Sequence, residues 1–284
     1  MVKKVFIIIV FLALILSVAP YGYAAENKVY IGILPYHAPD KIWHFCTPFI
    51  DYLNKATDIS WELKLYHNYD AIVDGLCNGE IAIAYLGPNP LGLASEKCKA
   101  KPLLVIIGED GKPFYRSIIF SNNHKINSLK ELKGKPFAFG DRDSTSSYII
   151  PRKMLEDAGI TIEMIKPIFM ESHEKIINAV AKNEAVAGAT KVSVFEKFKK
   201  LKFKTLKISN PIPHHSFCTT SNTDPDIEKK FINALLRLKS LHNRSHRNIV
   251  KNWDPELQYG FILPPKDYFQ NILKLNELLR KYND

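Results

Sequence analysis

Apolar and polar positions alternate with two different periods along this chain, and the switches between them mark out strands and helices. Lys28 to Leu34 is a mostly apolar run ending in the turn Pro35-Tyr36-His37-Ala38-Pro39, and it reads as a strand. Asp40 to Ala56 carries apolar residues at helical spacing, with Trp43, Phe49, Ile50 and Leu53 on the inward face. The order then repeats: strand Ser60–Tyr66, helix Asp70–Cys77, strand Ile81–Leu86, a helix from Gly87-Pro88 to Lys97, and strand Leu103–Gly108. Strands alternating with helices predict an α/β protein with a parallel sheet.

Tyr115–Ser121 reads as one long strand, Asn127–Gly134 as a short capped helix and Phe137–Phe139 as a buried strand. Further strands are expected at Lys166–Met170, Ala185–Ala189, Leu206–Ile208 and Ser216–Thr219. Helices are expected from His173 to about Lys182, over Val192–Lys199, and over Asp226–Leu241, Ser245–Lys251 and Pro265–Tyr282. Trp43, Trp61 and Trp253 are expected in the core.

The segment from Phe137 to Tyr148 stands apart. Its strand is broken by Gly140-Asp141, Asp143 or Ser144 is a natural N-cap, and Ser147 to Ala158 reads as a helix ended by Gly159. A helix start has unpaired N–H groups and the positive end of the dipole, and the hydroxyls of Ser144, Thr145 and Ser146 add donors. This is an anion site by construction, although the same run also fits an ordinary cap. Pro151, early in the helix, costs a backbone bond.

One repeat gives this site partners. The run Tyr69-Asp70-Ala71-Ile72-Val73-Asp74-Gly75-Leu76-Cys77-Asn78-Gly79-Glu80-Ile81-Ala82 aligns without a gap on His173 through Val186. Each copy is a polar start, an amphipathic helix, a turn ending in Glu and an apolar strand. Two copies imply two similar lobes. Ligands in such folds lie outside the carboxyl ends of the strands, so Tyr69 and His173 are expected at equivalent places facing one cleft.

Composition adds constraints. The formal charge is +10, and +8 without Lys3 and Lys4. The lysines are scattered rather than clustered, so nucleic-acid binding is not implied. Lys3-Lys4, the apolar run Val5–Val18, Pro20 and the small pair Ala24-Ala25 read as a signal peptide over residues 1–25, short for a membrane span. A cleaved chain starting near Glu26 and lying outside the cytoplasm follows, with room for one large or two modest domains. Export makes disulfides possible among Cys46, Cys77, Cys98 and Cys218. Cys77 and Cys98 end successive helices that both run against the parallel strands, so a Cys77–Cys98 bridge is geometrically plausible. Cys46 with Cys218 is a guess, and four free thiols remain the alternative. The spacing fits no zinc site, His242 and His246 lack a third ligand nearby, and no nucleophile–base motif or P-loop is present, so neither an enzyme nor a cofactor is expected.

The chain resembles the periplasmic phosphate-, phosphite- and phosphonate-binding proteins of ABC importers. The resemblance is carried by Gly32-Ile33-Leu34-Pro35, Tyr69-Asp70-Ala71, Ala84-Tyr85-Leu86-Gly87-Pro88, Gly111-Lys112-Pro113 with Tyr115-Arg116-Ser117, Ser128 through Lys135, Phe139-Gly140-Asp141 with Ser144-Thr145-Ser146 and Pro151, Ser172-His173-Glu174, and Pro211-Ile212-Pro213. It implies a two-lobed type II periplasmic binding protein fold with the ligand in the interlobe cleft. Lobe 1 would span 26–117 and 215–284 and lobe 2 118–214, joined by crossover strands near Arg116–Ser121 and Pro211–Phe217. It also implies that Ser144, Thr145 and Ser146 hold a phosphorus oxyanion, with Tyr69, Tyr115 and His173 as further contacts. Tyr36, Ser147, Lys191 and His215 complete the candidate ligand-binding set.

Two departures matter. Members of that family that bind aminoalkyl phosphonates hold the ammonium with acidic residues, whereas here Lys191, Val192 and Ser193 follow Thr190 and His214-His215 follows Pro213. Cationic and imidazole groups do not replace carboxylates. Phosphate, phosphite, a small alkyl phosphonate or a ligand with a second anionic group is therefore expected, unless Lys191 points to solvent. The other departure is Ser147, where the family usually has Gly. The expected partner is a membrane permease and the expected state a monomer. Alternatives are a ferric-ion binder of the same fold using Tyr69, Tyr115 and His173, an exported enzyme, or a partner of a membrane receptor.

Overall fold

The computed structural model describes residues 28–282, so the segment read as a signal peptide lies outside the described residues. The first half runs β1 (Val29–Ile33), α1 (Pro39–Thr57), β2 (Trp61–Lys64), α2 (Tyr69–Cys77), β3 (Ile83–Leu86), α3 (Pro88–Cys98) and β4 (Lys101–Ile106). Next come β5 (Phe114–Tyr115), β6 (Ser117–Ser121), β7 (Pro136–Phe139), α4 (Ile150–Glu156), β8 (Lys166–Phe169), α5 (His173–Ala181), β9 (Ala187–Lys191), α6 (Val192–Lys197) and β10 (Lys204–Ile208). The chain ends with β11 (Ile212–Pro213), β12 (Ser216–Thr219), α7 (Pro225–Leu236), α8 (Arg244–Val250), β13 (Phe261–Ile262) and α9 (Tyr268–Leu279). No helix among the described residues is long and apolar enough to cross a membrane.

Two main sheets form two lobes, in the orders β13-β4-β12-β3-β1-β2 and β10-β6-β9-β7-β8. In each, a central strand lies parallel to two neighbours: β1 between β2 and β3, and β7 between β8 and β9. The repeat seen in the sequence is the reason. Asn68 and Ser172 cap α2 and α5 through the N–H groups of Ala71 and Lys175. Gly79 and Asn183, at equivalent places, both take left-handed backbone to end the helix.

The expected parallel sheet is found as two mixed sheets, parallel at their centres and antiparallel where the crossing strands enter. The chain crosses from one lobe to the other twice, and each crossing delivers an antiparallel strand: β6 against β9 and β12 against β3. The crossings themselves pair as the antiparallel ribbon β5–β11, with Tyr115 opposite Ile212. The first crossing therefore sits at Phe114–Tyr115 rather than Arg116–Ser121, and the single long strand expected over Tyr115–Ser121 is interrupted at Arg116.

The first lobe's core packs Phe49, Phe217, Phe231, Trp61 and Trp253 between its sheet and helices. Trp43 is a correction: it is 55% exposed. The buried stripe of α1 runs through Ile42, Cys46, Phe49, Ile50 and Leu53. Residue 43 lies ~20° from Ile50 around the helix, on the edge of that stripe, and this edge is left exposed at the start of the helix. In the second lobe, Phe137, Phe139 and Tyr148 fill one face of the sheet, and Phe120 and Phe195 the other. Cys77 and Cys98 are bridged, with Cα atoms 5.4 Å apart. Cys46 and Cys218 are free and buried, which corrects the guess that they pair.

Candidate functional site

The turn after β7 is built by its own residues. Ser144 is the N-cap: its hydroxyl accepts from the Ser147 N–H at 3.3 Å and from the Ser147 hydroxyl at 2.6 Å. The first turn is wide, with the N–H groups of Ile149 and Ile150 reaching five residues back to the carbonyls of Ser144 and Thr145. Pro151 fits here at little cost. The N–H it lacks would have met the Ser147 carbonyl, and that carbonyl instead accepts from the Gly140 N–H at 3.0 Å. Gly140 has to be glycine, because a Cβ there would lie 2.1 Å from the Ser147 hydroxyl.

This turn forms one wall of a cavity of about 10 Å³, room for one small group. Its lining includes Ser144, Thr145, Ser146, Tyr69, Tyr115, His173, Lys191 and His215, with Leu34, Gly87 and Pro90 closing it. Four helix starts meet there: Tyr69 opens α2, Gly87 caps α3, Ser144 caps the turn leading into α4, and His173 opens α5. Each brings the positive end of a helix dipole. A larger groove between Ile150, Pro211 and Leu275 is more open to solvent.

The polar groups are arranged to donate inward. Tyr69 bonds the Ser144 hydroxyl, and Tyr115 bonds those of Ser146 and Thr145. Burial raises both phenols above the ordinary tyrosine value, helped by Asp141 near Tyr69 and by Glu256 near Tyr115, so both keep their protons. His173 is neutral: burial, then the Lys191 charge, lower it to about 3. Its Nδ1 lies 2.8 Å from the Thr190 hydroxyl. With that hydroxyl donating to Nδ1, the ring proton sits on Nε2 as a further donor.

Contacts from both lobes close the cavity. The Asn89 N–H donates to Thr145 Oγ1 at 3.0 Å, and the Asn89 amide donates to the Asp143 carbonyl at 3.1 Å. His37 pairs with Glu174 at 3.0 Å and Lys41 does so at 3.3 Å. Burial opposes ionisation of Glu174, but the His37 bond and the neighbouring charges hold it down at about 2.

Lys191 does not point to solvent. It is 1% exposed, and its ammonium donates to both oxygens of Glu256 at 2.6 and 2.7 Å. The Tyr115 and Tyr36 ring centres lie 4.9 and 5.4 Å away. Burial works against the charge on Glu256, yet Lys191 holds it far below the usual carboxylate range. The positive charge read from the sequence is thus neutralised by a carboxylate that the sequence did not reveal. His215 is held neutral, lowered by burial and by Lys191.

Two candidate residues stand outside the cavity wall. The Ser147 hydroxyl is spent on Ser144. Tyr36 packs over the Lys191 ammonium and bonds Asp254. The residues missed from sequence were Asn89, His37, Thr190 and Glu256. Asn89 had a signal, since Gly87-Pro88 starts a helix just as Ser144 does. Glu256 had none, lying on a short turn over Pro255–Leu257 far along the chain.

Beneath the Ser-Thr-Ser turn, Asp143 hydrogen-bonds Asp70 from the other lobe. Burial, then Asp70 and Asp141, push the Asp143 carboxyl up to about 6. A raised carboxyl stabilises the fold while protonated. That contribution is full below its ordinary value and is lost as pH rises through about 6. Asp143→Asn is expected to melt above the natural chain at pH ~8, the gap closing as pH falls to ~4. A constant difference across thermal melts would show that Asp143 is not held protonated.

Solved structures with this fold define the class. A binding-protein component of an ABC phosphonate transporter from Pseudomonas aeruginosa superposes with TM-score 0.79 at 19% identity, covering 91% of this chain and 89% of that one. A Prochlorococcus marinus protein solved in complex with methylphosphonate gives 0.76 at 22% identity, covering 90% and 99%. The fold is therefore that of the two-lobed type II periplasmic binding proteins. Residues 31–262 match the family described as ABC transporter, phosphonate, periplasmic substrate-binding protein, and the chain belongs to it. A phosphate-import protein from Mycolicibacterium smegmatis is 30% identical over 153 residues, 50% of this chain and 48% of that protein, so the chain spans about half that relative's length.

Proposed function

We propose that this protein is the extracytoplasmic solute-binding component of an ABC importer and that it closes two lobes on a small phosphorus oxyanion. The observation that carries this reading is the meeting of four helix N-termini with hydroxyl, phenol and imidazole donors on one cavity. The donors are neutral and directed, so they suit a compact anion with several oxygens. The small size of the cavity favours phosphate, phosphite or methylphosphonate over longer ligands. Ser144, Thr145, Ser146, Tyr69, Tyr115 and His173 are the proposed contacts, with Lys191 and His215 closing the far wall. Lobe 1 is taken as 26–117 with 215–284 and lobe 2 as 118–214. Closure is a hinge motion at the β5–β11 ribbon, and the closed form, a monomer, delivers its ligand to a membrane permease.

Titration calorimetry against phosphate, phosphite, methylphosphonate and sulfate tests the proposal. Binding of at least one phosphorus oxyanion, with sulfate much weaker, is the expected result. Heat with none of the three phosphorus compounds would remove the reading.

A further inference from the structure

We propose that the chamber between Glu256, Tyr36, Tyr115 and His215 is a ready-made primary-ammonium site, and that Lys191 occupies it so that ligands carrying an amine are refused. This rests on the reading of the adjoining cavity as an oxyanion site.

The chamber has the features of a cation site. A buried carboxylate presents both oxygens to the ammonium at 2.6 and 2.7 Å. Glu256 is itself fixed by the Tyr85 hydroxyl at 3.1 Å and by Asp254, which caps its turn at 2.8 Å. Two aromatic rings flank the charge at 4.9 and 5.4 Å, inside the ~6 Å range over which a ring face attracts a cation. The occupant arrives from β9 on lobe 2, while Glu256 follows the second crossing, among the lobe 1 elements.

The chamber and the oxyanion cavity share a wall, since Lys191 and His215 line the cavity as well. Beyond its Cβ, the lysine side chain is a three-carbon stem ending in an ammonium. A short aminoalkyl group on a phosphonate has the same composition: a few methylenes and a primary ammonium. The natural chain therefore supplies internally the group that such a ligand would bring, and a ligand amine meets a filled, already neutralised site. Lys191→Ala would join chamber to cavity and leave the Glu256 carboxylate buried without a cation, which a ligand ammonium then supplies.

Calorimetry on the natural chain, Lys191→Ala and Lys191→Ala/Glu256→Gln, each with methylphosphonate and 2-aminoethylphosphonate, tests this. The ratio of affinities is expected to move toward the amine by roughly 100-fold in Lys191→Ala and to move back in the double variant. An unchanged ratio, or a gain that survives Glu256→Gln, would overturn the proposal. A second arm uses ethylammonium chloride against sodium chloride in thermal melts. Ethylammonium should raise the Tm of Lys191→Ala and leave the natural chain unmoved, whereas no selective rise would overturn the proposal even if the variant is poorly stable. This arm needs no phosphorus ligand. If the natural chain bound no phosphorus oxyanion, the functional reading would fail while the ammonium site was still decided.

Discussion

Thr145→Ala is expected to weaken binding of the phosphorus oxyanion by about 10- to 100-fold, the range that follows from losing one hydrogen bond to a charged group. Thr145 Oγ1 already accepts the N–H of Asn89 across the cleft. With the Tyr115 phenol donating to that oxygen as well, the hydroxyl proton points at the ligand, so one hydroxyl both donates to the anion and ties the two lobes. Alanine removes both. Thr145→Ser keeps the oxygen and should hold affinity within a few-fold. His173→Ala should lose a similar amount, because the neutral ring held by Thr190 offers its other nitrogen to the cavity. Calorimetry on the three variants decides the matter: unchanged affinity in both alanine variants would remove the site.

Glu256→Ala is expected to lower the unfolding free energy by about 3–5 kcal/mol at neutral pH, the usual cost of stranding one member of a buried ion pair. Lys191 is 1% exposed and finds both of its short bonds on Glu256. Without the carboxylate the ammonium has aromatic faces and neutral imidazoles around it. Burial already holds the lysine below its ordinary value, and losing the opposing Glu256 charge deepens this, so the folded variant binds fewer protons than the unfolded one and gains stability as pH rises. The deficit should therefore shrink between pH ~7 and ~10. Urea denaturation at both values measures it. A loss below ~1 kcal/mol at pH ~7 would mean that the lysine escapes to water when its partner is removed.

These two residues illustrate what kind of information the linear chain holds. Thr145 was legible because its surroundings are local: a strand, a break, a hydroxyl run and a helix within a dozen positions. The repeat was legible for the same reason, since Tyr69 and His173 each open a capped nine-residue helix. Element order and direction made the Cys77–Cys98 bridge plausible beside four free thiols, and the folded chain forms it. Trp43 was misplaced because a helical stripe has a width, and only the neighbours of α1 decide which edge of it is covered.

Glu256 was not legible at all. A carboxylate 65 positions from its lysine carries no periodicity or motif that announces the pair. The same holds for the crossing strands, whose antiparallel placement depends on which lobe the chain enters rather than on the strand's own residues. The sequence by itself determined the order of elements, the two equivalent helix starts and the hydroxyl cradle, because capping, period and turn chemistry act over a few residues. The tertiary structure alone decided that the cradle faces Asn89, that His37 reaches Glu174, and that Lys191 lies in a cage instead of in water, because those contacts come from folding distant segments onto one another.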